Sequence, residues 1–209
     1  MTKIKIKQLK ALADRLADID PEVSRQLRML VFGAENMRHR RPLKVSAGFT
    51  GAIEKVVSQL PVHVLVGGMA VRFHVQTRVT DDVDFAMMAN MSEIKRLFPS
   101  GRMGSLAYSV EVDGVDVDFL FSEDFPWTKA AISHGVDGSA VFHTKVNVAS
   151  PEYLILYKLE AAREYDINDI KALLQLPGIA DRAKKTVAKY LHYMVEDFDQ
   201  LIEESKLGL

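Results

Sequence analysis

The chain has 209 residues, 48% of them hydrophobic, which is enough to bury a real core and suits one catalytic unit carrying helical additions. Its 27 Lys/Arg against 28 Asp/Glu leave no global charge to draw it to a polyanion or an anionic membrane, so any nucleic-acid contact must come from a local patch. Cysteine is absent, which excludes disulfides, thiolate metal sites and cysteine nucleophiles and agrees with a cytoplasmic protein.

The first residues alternate lysine with isoleucine and lack the uninterrupted apolar stretch of a signal peptide. No segment approaches the roughly 18 consecutive apolar residues of a membrane helix, so a soluble protein is expected. Leu9, Leu12, Ala13 and Leu16 recur at helical spacing. Pro21 then reads as the first turn of a second helix through Val23, Leu27, Leu30 and Val31. The basic stretch 37–44 (MRHRRPLK) reads as a loop, and a third helix is expected from Phe49 to Leu60, where Pro61 ends it.

His63 to Val66 is a short apolar run closed by Gly67-Gly68, the pattern of a buried strand meeting a tight turn and then a helix from Met69 to about Val75. Asp82 to Met87 alternates acidic and apolar residues, as a strand with one polar face does. Ser92 is placed to cap a helix through Leu97. Leu106 to Val112 and Val115 to Phe121 read as strands joined by the hairpin turn Asp113-Gly114. Phe125 to Ser133 is expected to be helical and Ala140 to Val148 a strand. Ser150-Pro151-Glu152 opens a long helix, with serine at the cap and proline in the first turn. A further helix follows from Asp166 to Leu176, ended by Pro177-Gly178, and one or two more run from Ile179 to about Glu204.

The expected architecture is α+β: an N-terminal helical arm over 1–44, a core with a small mixed sheet over 45–149, and a C-terminal helical region over 150–209. Charge is unevenly spread along it. Residues 1–44 hold eleven Lys/Arg against five Asp/Glu, whereas residues 81–124 hold three against ten. A basic arm beside an acidic centre suits a metal site that works on a polyanionic substrate.

Asp82 and Asp84 are two apart on one strand, so their carboxylates project from the same face and can converge on one cation. Asp116 and Asp118 repeat that spacing after the hairpin turn, and either can supply a third carboxylate from a neighbouring strand. Hard divalent ions take oxygen ligands of this kind, usually one or two carboxylates plus substrate phosphates. Without a cation the packed acids would repel one another and at least one would protonate. Gly67-Gly68, at a strand-to-helix junction, offers backbone N–H groups to a phosphate. Arg78 and Thr80 precede the acidic strand and are candidates to orient a triphosphate or the metal-bearing loop. The six histidines show no ligand spacing, Trp127 reads as packing, and no serine sits in a nucleophile elbow.

The run Val66-Gly67-Gly68-Met69-Ala70, followed by Arg78-Val79-Thr80-Asp81-Asp82-Val83-Asp84-Phe85, resembles the signature of the DNA polymerase β-like nucleotidyltransferase superfamily. Val117-Asp118-Phe119-Leu120 resembles the strand that carries its third metal-binding aspartate, and the Phe-Leu ending favours Asp118 over Asp116. The segment 150–163 with Asp166-Ile167-Asn168-Asp169-Ile170 is similar to the branch containing AbiEii-type toxins, in which a lysine and a closing aspartate pair follow the catalytic sheet. The resemblance covers about residues 62–175.

It implies attack of a hydroxyl on the α-phosphate of a nucleoside triphosphate, with Mg²⁺ or Mn²⁺ bound by Asp82, Asp84 and Asp118. Gly67 and Gly68 would cradle the triphosphate, and Lys158 would contact phosphate or base. The implied acceptor is RNA, including a tRNA end, or a protein hydroxyl, and an antitoxin partner is implied if the chain is the toxin of a pair. Two rival functions remain: transfer to a small molecule of the antibiotic type, and a non-catalytic nucleotide-binding module, against which the intact carboxylate set argues. On the residues alone, Lys158 on a helix face would ordinarily be solvated, and Asp166 and Asp169 at a helix start would ordinarily cap it, with Arg163 a partner for either.

Overall fold

The computed structural model describes residues 45–75, 79–104 and 106–207, together with Ala11, Leu12, Arg15 and Ile19. The arm expected over 1–44 and its basic residues Arg38, His39, Arg40, Arg41 and Lys44 therefore lie outside the described residues, apart from those four. Residues Leu43–Gln175 and Ile179–Leu209 cluster as one compact unit.

The fold is α+β, with nine helices and a seven-stranded mixed sheet among the described residues. Helix α1 (Ala47–Val57) is capped by Ser46, whose Oγ accepts from the Phe49 N–H, and buries Ala52, Ile53 and Val56. Strand β1 (His63–Val66) runs directly into α2 (Gly67–His74), which begins at Gly67 itself rather than at Met69. Strand β2 (Asp82–Met87) follows. Helix α3 (Met91–Leu97) is capped by Asn90 and not by Ser92. The Asn90 carbonyl oxygen accepts from the Glu93 N–H while the Glu93 carboxylate accepts from the Asn90 N–H, both at 3.0 Å, a reciprocal pair that Ser92 cannot make from inside the helix.

A two-residue edge strand β3 (Arg102–Met103), not foreseen in the sequence, precedes the hairpin of β4 (Tyr108–Val112) and β5 (Val115–Phe121). Asp113 and Gly114 both adopt positive φ, 53° and 76°, which matches the twist of a two-residue hairpin loop. Helix α4 (Thr128–Ser133) starts later than expected, at Thr128. The strand expected over 140–148 is mostly absent. Instead, β6 (Val136–Asp137) leads into a one-turn helix α5 (Ser139–Phe142), the chain turns at a left-handed His143, and only β7 (Asn147–Val148) joins the sheet. β7 pairs with β1 at the single register point Leu65↔Val148, and a ladder that short cannot organise nine residues into a strand.

The sheet order is β3-β4-β5-β2-β1-β7-β6. Most neighbours are antiparallel, but β2 lies parallel to β5 and β1 parallel to β7. Alternation gives the sheet two unlike faces. On one, Leu65, Phe85, Phe119 and Tyr108 stand in register and are buried. Phe98 stacks on Phe119 with centroids 5.0 Å apart, and the Tyr108 hydroxyl donates to the Phe98 carbonyl at 2.8 Å. On the other, Val66, Asp84, Asp118 and Ser109 form a row across four strands, with Asp82, Asp116 and Glu111 beside it.

Helix α6 (Pro151–Ala161) is buried on almost every side, from Tyr153 through Leu159, as an apolar core helix must be. It opens at Ser150 with Pro151 in the first turn as expected, although the serine hydroxyl makes no cap bond. Helices α7 (Glu164–Leu174), α8 (Ile179–Tyr190) and α2 pack against it. A short 3₁₀ turn and α9 (Val195–Leu207) complete the described chain. Trp127 is buried against Phe125, Tyr157 and Tyr190, in the packing role its isolation suggested. No described helix is long and apolar enough to cross a membrane.

Candidate metal centre and its cavity

Register brings the acids together. Because β2 and β5 run parallel with Asp84 opposite Asp118, two carboxylates meet across neighbouring strands about 4.8 Å apart. Asp82, on the same face of β2, joins them. One carboxylate oxygen from each of Asp82, Asp84 and Asp118 lies within 4.8 Å of the other two. Asp116, opposite Asp82, is not part of this group: it sits nearer the hairpin turn and is exposed beside Arg102 and Glu111. Asp81, just before β2, is also exposed and is not part of the group. The buried Thr80 hydroxyl donates to Asp82 Oδ1 and so fixes one carboxylate of the three. Arg78 lies outside the described residues.

Gly67 is required twice over. Its φ of 63° is in the left-handed region, and a Cβ there would stand 1.7 Å from Asp84 Oδ2. The start of α2 is thus pressed against the central carboxylate, and no side chain caps that helix end. Gly68 is buried in the first turn of α2. We expect Gly67→Ala to cost more than about 1 kcal/mol through backbone strain and to displace Asp84. Gly114→Ala provides the control, because its φ is also positive at 76° but nothing lies within 4 Å of an added Cβ. Thermal melts with and without Mn²⁺ should show both variants destabilised and only Gly67→Ala deaf to the ion. An unchanged response in Gly67→Ala would contradict the close approach.

The carboxylates pay a like-charge penalty. Burial, then Asp82, then Asp118 push the Asp84 carboxyl up to about 7, although Lys158 and Arg163 pull it down. A divalent cation would remove that penalty, and an all-oxygen donor set fits a hard ion such as Mg²⁺ or Mn²⁺. The residues present therefore fit the metal.

Asp84 and Asp118 open into a cavity of about 390 Å³ bounded by the sheet on one side and α6 on the other. Leu120, Phe125 and Tyr157 give it an apolar wall, Leu106 lies at its lip, and Lys158 and Arg163 supply cations. Burial pushes the Tyr157 hydroxyl well up, and Tyr157 shares a 2.8 Å hydrogen bond with the Thr128 hydroxyl, so it is no acid at neutral pH. Neither a known family model nor a curated protein matches this chain. The functional reading therefore rests on its motifs and its geometry.

Lys158 is not a solvated surface residue. Its side chain is 4% exposed, and its Nζ lies 2.6 Å from Asp166 and 2.9 Å from Asp169. Burial along α6 demands such partners for a cation. The two acids are correspondingly buried rather than displayed at a helix start. Asp166 keeps part of the expected capping role, with its carboxylate reaching back to the Arg163 backbone N–H at 3.4 Å. Burial alone would push Asp166 up, but hydrogen bonds from Arg163 and Lys158 prevail and hold it below the ordinary carboxylate range.

Ser109 and Leu120 were not singled out in the sequence, yet both follow from parity: they share the sheet face of Asp118. Phe125 and Tyr157 carry no such signal, because the turn after β5 brings the first to the cavity and the packing of α6 brings the second.

Proposed function

We propose that this chain is a metal-dependent nucleotidyltransferase that moves a nucleoside monophosphate from a nucleoside triphosphate to a hydroxyl group. The observation that carries the reading is that Gly67, Asp84 and Asp118 line one cavity together with Lys158 and Arg163. In this reading Asp82, Asp84 and Asp118 hold Mg²⁺ or Mn²⁺, which when bound neutralises phosphate charge and lowers the pKa of the attacking hydroxyl. Gly67 lets phosphate oxygens approach the backbone at the start of α2. Asp118, between Asp84 and Ser109, accepts the hydroxyl proton. The hydroxyl oxygen bonds to the α-phosphorus as the bond to the bridging oxygen breaks, and pyrophosphate leaves. The residues supply position and electrostatics rather than covalent chemistry.

The resemblance to AbiEii-type proteins favours an RNA or protein acceptor and a toxin role with an antitoxin partner. A second reading, transfer to a small cationic molecule, draws support from Asp81, Asp116 and Glu111, which flank the metal centre as exposed acids and would repel a polyanion.

Incubation with each α-³²P-labelled nucleoside triphosphate, Mg²⁺ and total RNA or cell lysate tests both. Label is expected on RNA or protein with the wild type and not with the Asp82→Ala/Asp84→Ala double variant. Label found only on added small amines bearing hydroxyls would select the second reading. Equal incorporation by the double variant would end the metal-centre assignment.

A further inference from the structure

The two cations of the cavity are unlike. Lys158 already faces Asp166 and Asp169 and is almost wholly buried, so its charge is committed to holding α7 against α6. Arg163 lines the same cavity with a side chain 57% exposed. Among the described residues its side-chain hydrogen bonds all go to Asp166, from Nε at 2.6 Å and from Nη2 at 3.5 Å, so the outer part of its fork stays open.

The chain builds this placement locally. Ala162 ends α6 in the left-handed region with φ of 50°, its N–H bonded to the Lys158 carbonyl at 3.0 Å, and the next residue, Arg163, caps α7. The guanidinium then sits over the ring of Tyr165, with Cζ 4.5 Å from the ring centroid. A carboxylate on one edge and an aromatic face beneath hold the planar group while leaving donors for an anion. Its charge also acts on Asp84, which puts it within electrostatic reach of the metal centre.

We propose that Arg163 is the polyphosphate-binding cation of this cavity, that Tyr165 is its positioning residue, and that Lys158 anchors the helix rather than contacting substrate. This rests on the nucleotidyltransferase reading and shifts the substrate contact that the family resemblance implies for Lys158 to Arg163.

Titration calorimetry with Mg²⁺ and inorganic tripolyphosphate, and with Mg²⁺ and each of the four nucleoside triphosphates, tests it on the full chain. Arg163→Gln is expected to weaken tripolyphosphate binding about 10- to 100-fold, the worth of a charge-assisted hydrogen bond, and Arg163→Lys to lose part of that. Tyr165→Phe should bind as the wild type does, while Tyr165→Leu should bind several-fold more weakly at a temperature where both variants are folded. Rescue by phenylalanine separates ring stacking from a hydroxyl role. Wild-type binding that Arg163→Gln leaves unchanged overturns the proposal alone. Failure of the wild type to bind tripolyphosphate and all four nucleotides overturns the nucleotide reading and this proposal with it.

Discussion

Lys158→Met is expected to destabilise the protein by about 3–5 kcal/mol, the loss typical when one partner of a buried ion pair is removed. The side chain fits the apolar surroundings of α6, so the cost comes from the two acids it leaves behind, Asp166 and Asp169, which are 0% and 2% exposed. Arg163 still reaches Asp166 but comes no nearer to Asp169 than its own position at the start of α7 allows. Chemical denaturation measures the effect. Adding Asp166→Asn and Asp169→Asn to Lys158→Met should recover much of the loss, because it removes the uncompensated charge. A single-variant loss below about 0.5 kcal/mol, the range of ordinary surface changes, would mean the cluster is solvated. The pH dependence has a definite sign. Asp166 is held below its ordinary value, so its contribution is fully present above about pH 4 and is lost as pH falls through the depressed folded value.

Asp84→Asn has the opposite signature. In the metal-free protein the Asp84 carboxyl is raised from 3.8 to about 7, so between those values the folded chain binds more protons than the unfolded one. Stability therefore falls as pH rises across that window, and the charged form is a burden at pH 8. A shift of this size corresponds to about 4 kcal/mol if fully expressed. Asp84 is partly open to the cavity, and screening there reduces the expected gain to about 1–3 kcal/mol. Asp84→Asn should thus raise the melting temperature of the metal-free protein at pH 8, by less near pH 5, and leave it little changed below about pH 4. It should also abolish the response to Mn²⁺, which in the wild type is worth about 2.7 kcal/mol at a hundred times Kd. A variant less stable than the wild type at pH 8 without metal would show that the three carboxylates do not repel one another as described.

Much of this site was legible before any coordinates. The hairpin followed from Asp113-Gly114, since both positions need positive φ and both have it. The shared face of Asp82 and Asp84 followed from the two-residue period of a strand, as did that of Asp116 and Asp118. What alternation could not decide was which of the second pair meets the first, because both lie on the same face. Alternation leaves the choice to where β5 sits against β2, a long-range register, and only the resemblance carried by Phe119-Leu120 pointed to Asp118, which the cluster contains. The ordinary expectation that Lys158 is solvated fails because helical spacing gives the direction of a side chain but not what covers it. The stretch 140–148 departs from a strand because its scattered apolar residues suit a strand and a helical turn alike, and a left-handed His143 breaks it after Phe142. Ser92 was chosen as the cap by residue type, which Asn90 satisfies too, and the reciprocal bond with Glu93 selects Asn90.

Helix α6 has little face to spare for water: α2, α7 and α8 all close on it. During vectorial synthesis the ribosome releases the sheet strands and this apolar segment before Ile179–Tyr190 has emerged to cover it. The growing chain must therefore carry its most buried helix without its α8 cover for the interval between residues 161 and 190, when a chaperone or premature self-association competes with folding. Chains cut short within α8 would keep every proposed metal ligand and still lose the cover that keeps them in place.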